Sequence, residues 1–97
     1  MRAIVLTDVA VRQFRRLPKE IRPLLRDSMQ RQLVEADASE TTRNKFRLRR
    51  ASQHADFELL VERWRIFYRV EPDTVVVTLF GEKQGNRLII GGDKFEL

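Results

Sequence analysis

Residues 57–80 read FELLVERWRIFYRVEPDTVVVTLF, and this stretch decides the fold. Apolar and polar side chains alternate through most of it, which is the two-residue period of a strand with one buried face. Two polar breaks, Glu62-Arg63 and Glu71 to Thr74, divide the stretch into three runs. The runs are Phe57 to Val61, Trp64 to Val70 and Thr74 to Phe80. The pattern therefore predicts an antiparallel meander of three strands.

The first break predicts the register of the first hairpin. A turn centred on Glu62 and Arg63 places Val61 opposite Trp64 and leaves Arg65 on the outer face of the sheet. Neither turn residue is glycine or asparagine, so a two-residue turn would be strained and a longer one is expected.

The second break has proline at the second position of a turn, and it predicts the next register. It pairs Arg69 with Val76 and Arg65 with Phe80. On this register Phe67 and Phe80 lie on the outer face beside the two arginines. The alternative is that the C-terminal tail folds over these aromatic rings.

The N-terminal half has helical spacing after one short strand. Ala3 to Leu6 is apolar and β-branched, and Thr7 or Asp8 then offers a helix N-cap. The first helix is predicted to run to about Arg16. A second helix is predicted to begin near Arg22 and to carry an apolar stripe of several turns.

Residues 1–97 are predicted to form one α+β domain. The order is β-α-α-β-β-β(-β), where the last short strand is Arg87 to Ile90 and the tail is Gly91 to Leu97. The N-terminal helical hairpin is expected to pack on one face of a twisted antiparallel sheet. No apolar run of the sequence is long enough for a membrane span, so a cytoplasmic address is expected.

The formal net charge of +5 is unevenly placed. Residues 1–56 hold 13 Lys and Arg against 7 Asp and Glu, whereas residues 57–97 hold 6 against 7. Such an excess suggests an anionic partner, although net charge concerns association rather than a site. The attraction should therefore come from the chain before the meander.

A basic run without an intervening acid directly precedes the meander. Its members are Arg43, Lys45, Arg47, Arg49 and Arg50. From Lys45 to Arg49 they alternate with Phe46 and Leu48, which predicts a half-buried strand whose outer face is a ladder of cations. The alternative is a solvated basic strand edge that contacts no ligand.

Several kinds of site are not expected from this sequence. Without cysteine there is no disulfide framework, thiolate ligand or cysteine nucleophile. The glycines lack the spacing of a phosphate-cradling loop. His54, the sole histidine, lies in a polar loop and is expected to be solvated. Neither a metal nor a cofactor is expected.

Several segments together resemble a known family. The most specific are the aromatic-Arg-x-x-Tyr strand Trp64 to Tyr68, the valine-rich Val75 to Val77, and Gly81-Glu82-Lys83. The others are Phe14, Leu17-Pro18, Ala55 to Leu59 and Asn86 to Leu88. Over nearly its whole length the chain resembles the RelE/ParE superfamily of bacterial type II toxins.

The resemblance implies a toxin that is wrapped and blocked by an antitoxin encoded by an adjacent gene. RelE-like members are ribosome-dependent endoribonucleases that cut messenger RNA, whereas ParE-like members bind and inhibit DNA gyrase without being nucleases. Such gene pairs act in growth inhibition and plasmid stabilisation, and the toxin is expected at operator DNA only through the antitoxin. The fold does not choose between the two activities.

The resemblance also implies roles for residues. Arg65 occupies the place of a phosphate-binding arginine in RelE-like enzymes and Lys83 that of a second basic residue, so both are candidate catalytic residues together with Glu58. Glu58 and Leu60 stand where those enzymes carry lysines, and Leu88 to Ile90 offer no C-terminal tyrosine. Glu58 is then either a general base or an ordinary ion-pair partner of an arginine. The further candidates are Lys45, Arg47, Arg49, Arg69 and Arg87 for RNA phosphates, and Phe67 and Phe80 for base stacking or antitoxin contact.

The expected function is inhibition of translation by metal-free cleavage of messenger RNA on the ribosome. A base must take the proton of the 2′-hydroxyl, cations must hold the phosphorane, and an acid must protonate the leaving 5′-oxygen. Two alternatives stay open. One is gyrase inhibition without nuclease activity, and the other is a catalytically degenerate member that only binds its antitoxin. No membrane partner is expected.

Overall fold

The part of the chain that the structure describes contains two α-helices, one π-helical stretch and seven strands. This computed structural model describes residues 1–49, 55–90 and 93–96, the last of these for the backbone only. In chain order the elements are β1 (Ala3–Leu6), α1 (Asp8–Arg16), α2 (Ile21–Met29), a π-helical stretch (Gln30–Glu35), β2 (Lys45–Arg47), β3 (Phe57–Val61), β4 (Trp64–Val70), β5 (Thr74–Gln84), β6 (Arg87–Ile90) and β7 (Asp93–Glu96). The predicted α+β class is confirmed. Within the described residues, no helix is long and apolar enough to cross a membrane.

The two predicted helices form at the predicted places. The Thr7 hydroxyl oxygen accepts a hydrogen bond from Ala10 N at 3.2 Å, which satisfies one free N–H group of the first turn of α1. α1 ends at Arg16, as predicted. After α2 the helical path widens into the π-helical stretch, where Ala36 N donates to Arg31 O. The apolar stripe alone did not predict this widening.

The sheet is mixed rather than purely antiparallel. Strands β2 to β7 follow one another as antiparallel neighbours. β1 pairs in parallel with the first half of β5, where Ile4 lies opposite Val75. β6 takes the same edge of β5 further along, where Ile90 lies opposite Gly81. The prediction of an antiparallel sheet is therefore wrong at β1, whose partner is a strand distant in sequence.

The hairpin between β3 and β4 has the predicted register and a tighter turn than predicted. The strands pair up to the residues on either side of Glu62 and Arg63. Glu62 has a left-handed backbone with a φ of 55°, which costs a non-glycine residue about 1 kcal/mol. Hydrogen bonds to the turn offset that cost. The Arg65 guanidinium donates to Glu62 O, and Lys83 N donates to Arg63 O, both at 2.7 Å. The expectation of a longer turn is wrong.

A β-bulge in β5 changes the register between β4 and β5. Tyr68 lies opposite Val77 and Phe67 lies opposite Leu79, so Thr78 is the extra residue. The Thr78 hydroxyl donates to Phe67 O at 3.2 Å. Beyond the bulge, each β5 side chain lies on the face opposite to the one that strict alternation predicts.

The bulge divides the predictions for β5 into two groups. Before it, the pairing of Arg69 with Val76 is confirmed. After it, Arg65 lies opposite Gly81 instead of Phe80. Phe80 packs against the helices and is only 3% exposed. The prediction that Phe80 lies on the outer face for base stacking or antitoxin contact is therefore wrong.

The main core lies between the helices and one face of the sheet. Its members include Ala10, Leu25, Met29, Leu33, Phe57, Leu59, Val61, Trp64, Ile66, Tyr68, Val75, Val77 and Phe80. Tyr68 stacks on Phe57, and its hydroxyl donates to Ala38 O at 2.8 Å. Burial raises the pKa of Tyr68 well above its ordinary value. Tyr68 is a core residue, as predicted.

The opposite face of the sheet, called the outer face below, carries a smaller apolar cluster. The cluster consists of Ala55, Phe67 and Leu88, bordered by Leu48, Leu79 and Ile90. β7 pairs with β6, where Phe95 lies opposite Leu88. Residues 93–96 therefore extend the sheet at its edge, and the alternative in which they fold over the outer face is wrong. Gly91, Gly92 and Leu97 lie outside the described residues.

Candidate functional site on the outer face

A carboxylate and an arginine lie side by side on the outer face. Glu58 on β3 and Arg65 on β4 both alternate away from the helices, and Glu58 Oε2 lies 3.5 Å from Arg65 Nε. Only 19% of the Glu58 side chain and 10% of the Arg65 side chain are exposed. The predicted cross-strand ion pair is present, and it is less solvated than an ordinary surface pair.

The backbone also holds Arg65. Its Nη1 atom donates to Glu62 O at 2.7 Å and to Trp64 O at 2.8 Å. These two bonds from Nη1 and the ion pair of Nε with Glu58 are all made within the hairpin. Arg65 is therefore placed to orient the Glu58 carboxylate, while little of its own charge reaches the surface.

Glu58 has the electrostatic setting of a proton acceptor. Burial raises the pKa of the Glu58 carboxyl, and the positive charges of Arg65 and Lys83 oppose this rise. Desolvation disfavours the charged form of a carboxyl, whereas neighbouring cations favour it. Because the net shift of the pKa is upward, Glu58 accepts a proton more readily than a solvated glutamate does.

Lys83 is an exposed cation whose positive charge acts on the Glu58 carboxyl. It follows Gly81, and the bulge places it on the outer face. A Cβ added at Gly81 would come within 3.1 Å of Ile90 Cγ1 and 3.2 Å of both Ile89 O and Leu88 Cδ1. A side chain at position 81 would therefore press against β6, and glycine lets β6 lie close to β5.

A pocket beside Glu58 has two further predicted cations among its lining residues. Its volume is about 430 Å³, and its lining consists of Phe46, Arg47, Leu48, Arg49 and Glu58. Arg47 and Arg49 are exposed, and the Arg47 guanidinium also lies 4.7 Å from the centre of the Phe57 ring. Arg47 pairs with Phe57 on the helix side of the sheet, so the prediction that Arg47 belongs to an outer-face ladder is wrong. The pocket thus combines the Glu58 carboxylate and the exposed Arg49 with an apolar wall.

Lys45 does not join this surface. It pairs with Leu59 on the helix side of the sheet and has no exposed surface. Its Nζ donates to Gln32 O at 2.9 Å and to Asp37 O at 3.0 Å, at the end of the helical run. The prediction that Lys45 faces outward to contact phosphate is therefore wrong, because helix carbonyls satisfy its charge inside the fold.

The other predicted contact residues are distributed over both faces. Arg69 lies on the outer face, separated from Arg65 by Phe67. Phe67 has the predicted face but is only 8% exposed, so the expectation of an exposed stacking ring is wrong. Arg87 is exposed but pairs with Gln84, which places it on the side of the sheet away from Lys83.

Two residues of the prediction lie outside the described residues, namely His54 and Arg50. Among the residues that are described, no three His, Cys, Asp or Glu side chains come together as metal ligands would.

Sequence reasoning missed the pocket wall that Phe46 and Leu48 form. An alternating segment has two possible orientations, and only the burial of Lys45 selects the one that turns Phe46 outward. No feature of the sequence shows that the end of the helical run lies beside Lys45, so the pattern offered no signal for this orientation.

Comparison with models of protein families, with curated proteins and with solved structures gave no match to this chain.

Proposed function

We propose that this chain is a toxin of the RelE/ParE type that inhibits translation by metal-free cleavage of ribosome-bound messenger RNA in the cytoplasm. The observation that carries the proposal is the position of Glu58. Its carboxylate has a raised pKa, is oriented by Arg65, lies near the exposed Lys83 and opens onto the pocket that Arg49 lines. A base beside unpaired cations is what cleavage by a neighbouring hydroxyl requires.

In the proposed reaction Glu58 takes the proton of the ribose 2′-hydroxyl. The 2′-oxygen then forms a bond to phosphorus, and the bond from phosphorus to the 5′-oxygen breaks. Lys83 and Arg49 stabilise the additional negative charge on the phosphate oxygens during the transfer. Water protonates the leaving 5′-oxygen, and the hydroxide so formed takes the proton from Glu58, so the products are a 2′,3′-cyclic phosphate and a 5′-hydroxyl end. Arg65 acts as a positioning residue, because it holds the base instead of reaching the phosphate.

The proposal is tested with purified ribosomes programmed with a short messenger RNA. Primer extension should show cuts in the presence of the protein, and the downstream fragments should carry 5′-hydroxyl ends. Glu58→Gln removes the base without changing the shape of the side chain, and it should slow cleavage about a hundredfold or more. Glu40→Gln, the same change in an exposed loop residue, is the control. Messages that stay intact on ribosomes would refute the nuclease proposal.

One observation favours a second candidate, a toxin that does not cleave RNA. The guanidinium of Arg65 is bonded to Glu62 O and Trp64 O and is largely buried, so it already has a structural role. Such a chain would inhibit DNA gyrase in the ParE manner, or would only bind its antitoxin. Inhibition of gyrase supercoiling with intact messages would favour the first form, and harmless expression of the folded protein would favour the second.

In each case the proposed partner is an antitoxin encoded by an adjacent gene, which blocks the outer face. Co-purification of the toxin with the product of the neighbouring reading frame tests this partner.

A further inference from the structure

Strand β1 has one open edge. It pairs with β5 on one side, and no other strand of the described residues pairs with it. Ala3 N donates to Asp73 O at 3.0 Å, just before β5 begins. Backbone groups of successive residues in a strand point in opposite directions, so those of Ile4 and Leu6 point away from β5. Their N–H and C=O groups therefore form an open edge to which another strand can bind.

Apolar side chains are exposed along this edge. Among the described residues, the exposed large hydrophobic side chains are Met1, Val5 and Val9, which are 99%, 47% and 43% exposed. All three lie in β1 or within three residues of it. Val5 pairs with Val76, so its side chain lies on the outer face of the sheet. Exposed apolar side chains that gather at an open strand edge indicate a surface for association.

The other two edge strands carry the charges that usually prevent such association. β2 has two cations among its three residues, and β7 has three charged residues among its four. β1, with the sequence AIVL, has no charged residue, no proline and no bulge. Charges on an edge strand oppose pairing with a second strand. Only β1 of these three strands is therefore suited to pair with a further strand.

The sequence around β1 is symmetric about Val5. Residues 1–9 read MRAIVLTDV. Ile4 and Leu6 are the immediate neighbours of Val5, and Met1 and Val9 are the outermost apolar residues, at equal distances on both sides. Two antiparallel copies that are aligned at Val5 thus match apolar residues with apolar residues. This is the symmetry that an isologous interface between two identical chains requires.

The open edge supplies the hydrogen bonds for this alignment. Ile4 of one copy faces Leu6 of the second copy, and because both direct their backbone groups outward, they exchange two hydrogen bonds. The two-fold axis repeats this exchange on the other side of Val5. Val5 then faces Val5 of the second copy at a non-hydrogen-bonded position, where side chains come closest. Since Val5 lies beside Val76, the valines of both copies form one apolar row across the outer face.

The charges that flank β1 favour the antiparallel orientation. Asp8 is exposed and forms no salt bridge with another described residue. The Arg2 guanidinium donates from Nε to Glu71 O and from Nη1 to Asp37 Oδ1, which leaves Nη2 for Asp8 of the second copy. A parallel pairing would instead bring Arg2 toward Arg2 and Asp8 toward Asp8, and like charges oppose association.

We propose that β1 joins two copies of this chain into a dimer with one continuous sheet. Val5 lies on the two-fold axis, and Ile4 and Leu6 form the hydrogen bonds on either side of it. Because the strand is short, the interface belongs to the small class, and the dimer dissociates on dilution. The inference goes beyond the proposed function, because β1 holds none of the candidate site residues and the pairing does not depend on RNA cleavage.

Sedimentation velocity of the full chain tests whether the dimer forms. Between about 1 μM and about 1 mM, the range of weak complexes, the mass should rise from 11.5 kDa toward twice that value. If the chain stays monomeric throughout, the edge is open to a strand of a different protein at most, and the proposal is overturned.

A single thiol locates the interface. The sequence has no cysteine, so Val5→Cys introduces one thiol, which the proposed axis places against its own counterpart at a spacing that a disulfide can bridge. Mild oxidation should convert Val5→Cys into a covalent dimer at least about tenfold faster than Thr41→Cys, because pairing raises the effective concentration of the thiol. Thr41 lies in an exposed loop and is the matched control. Equal rates for the two variants would overturn the proposal.

Charge pairs test the two-fold alignment itself. Val5→Lys and Val5→Glu should each raise the dissociation constant about tenfold or more, because like charges then face each other. An equimolar mixture of the two variants should form dimers again, since opposite charges then meet at the axis. Val5 is half exposed, so both variants are expected to fold, which their urea midpoints check. A dimer that Val5→Lys does not weaken, or a mixture that stays monomeric, would contradict this alignment and overturn the proposal.

Discussion

Replacement of Lys45 by methionine should destabilise the fold, because this buried ammonium ties the helical run to the sheet. The two hydrogen bonds from Nζ to Gln32 O and Asp37 O measure 2.9 and 3.0 Å. Each bond from a charged donor contributes about 1.5 kcal/mol at the low end of its range, so the pair contributes about 3 kcal/mol. Methionine keeps most of the apolar stem of lysine, and it buries no charge. The variant therefore recovers part of the free energy that is lost with the two hydrogen bonds. The expected net loss is about 2 kcal/mol.

Urea unfolding followed by Trp64 fluorescence measures this loss. For a chain of this size, 2 kcal/mol lowers the urea midpoint by about 1 M, and it lowers the melting temperature by roughly 10 °C. Arg49→Met is the matched control, because Arg49 is exposed and belongs to the same basic run. It should change the stability by less than about 0.5 kcal/mol. Equal midpoints for Lys45→Met and the unaltered chain would refute the structural role of Lys45.

Two further predictions concern the hairpin and its carboxylate. Glu62→Gly should raise the free energy of unfolding by up to about 1 kcal/mol, because glycine adopts the φ of 55° without steric cost. Arg63→Gly, at a residue without a positive φ, should lower it, and a less stable Glu62→Gly variant in urea melts would contradict this account. Glu58→Gln should flatten the pH dependence of stability. The folded pKa of Glu58 lies above the ordinary 4.5, so the folded state binds more protons and stability falls as pH rises through that window. Equal slopes for Glu58→Gln and the unaltered chain above pH 4.5 would exclude this effect.

The hairpin between β3 and β4 was largely predictable from local pattern. Its side chains alternate with a period of two, and a slip by one residue would turn Trp64, Ile66 and Tyr68 out of the core. The register therefore followed from the sequence. The cap at Thr7 and the end of α1 were predictable for a similar reason, since both depend on neighbours in the chain.

The candidate site was only partly predictable. Glu58 and Arg65 lie on the expected face because their strands are regular. Lys83 reaches that face only through the bulge at Thr78, and the run from Val75 to Phe80 is apolar at too many positions for alternation to reveal an extra residue. The alternation of residues 45–49 fits a strand with either set of side chains turned toward the helices. The prediction placed Lys45 on the outer face, whereas it lies on the helix side.

The sequence by itself determined the class of fold, the strands of the meander and the face on which Glu58 and Arg65 lie, because these depend on interactions between residues close in the chain. Only the tertiary structure decided the parallel pairing of β1, the bulge and the burial of Lys45. Each of these depends on partners distant in sequence. A charge such as that of Lys45 is buried only where carbonyls from another element are present to accept its protons.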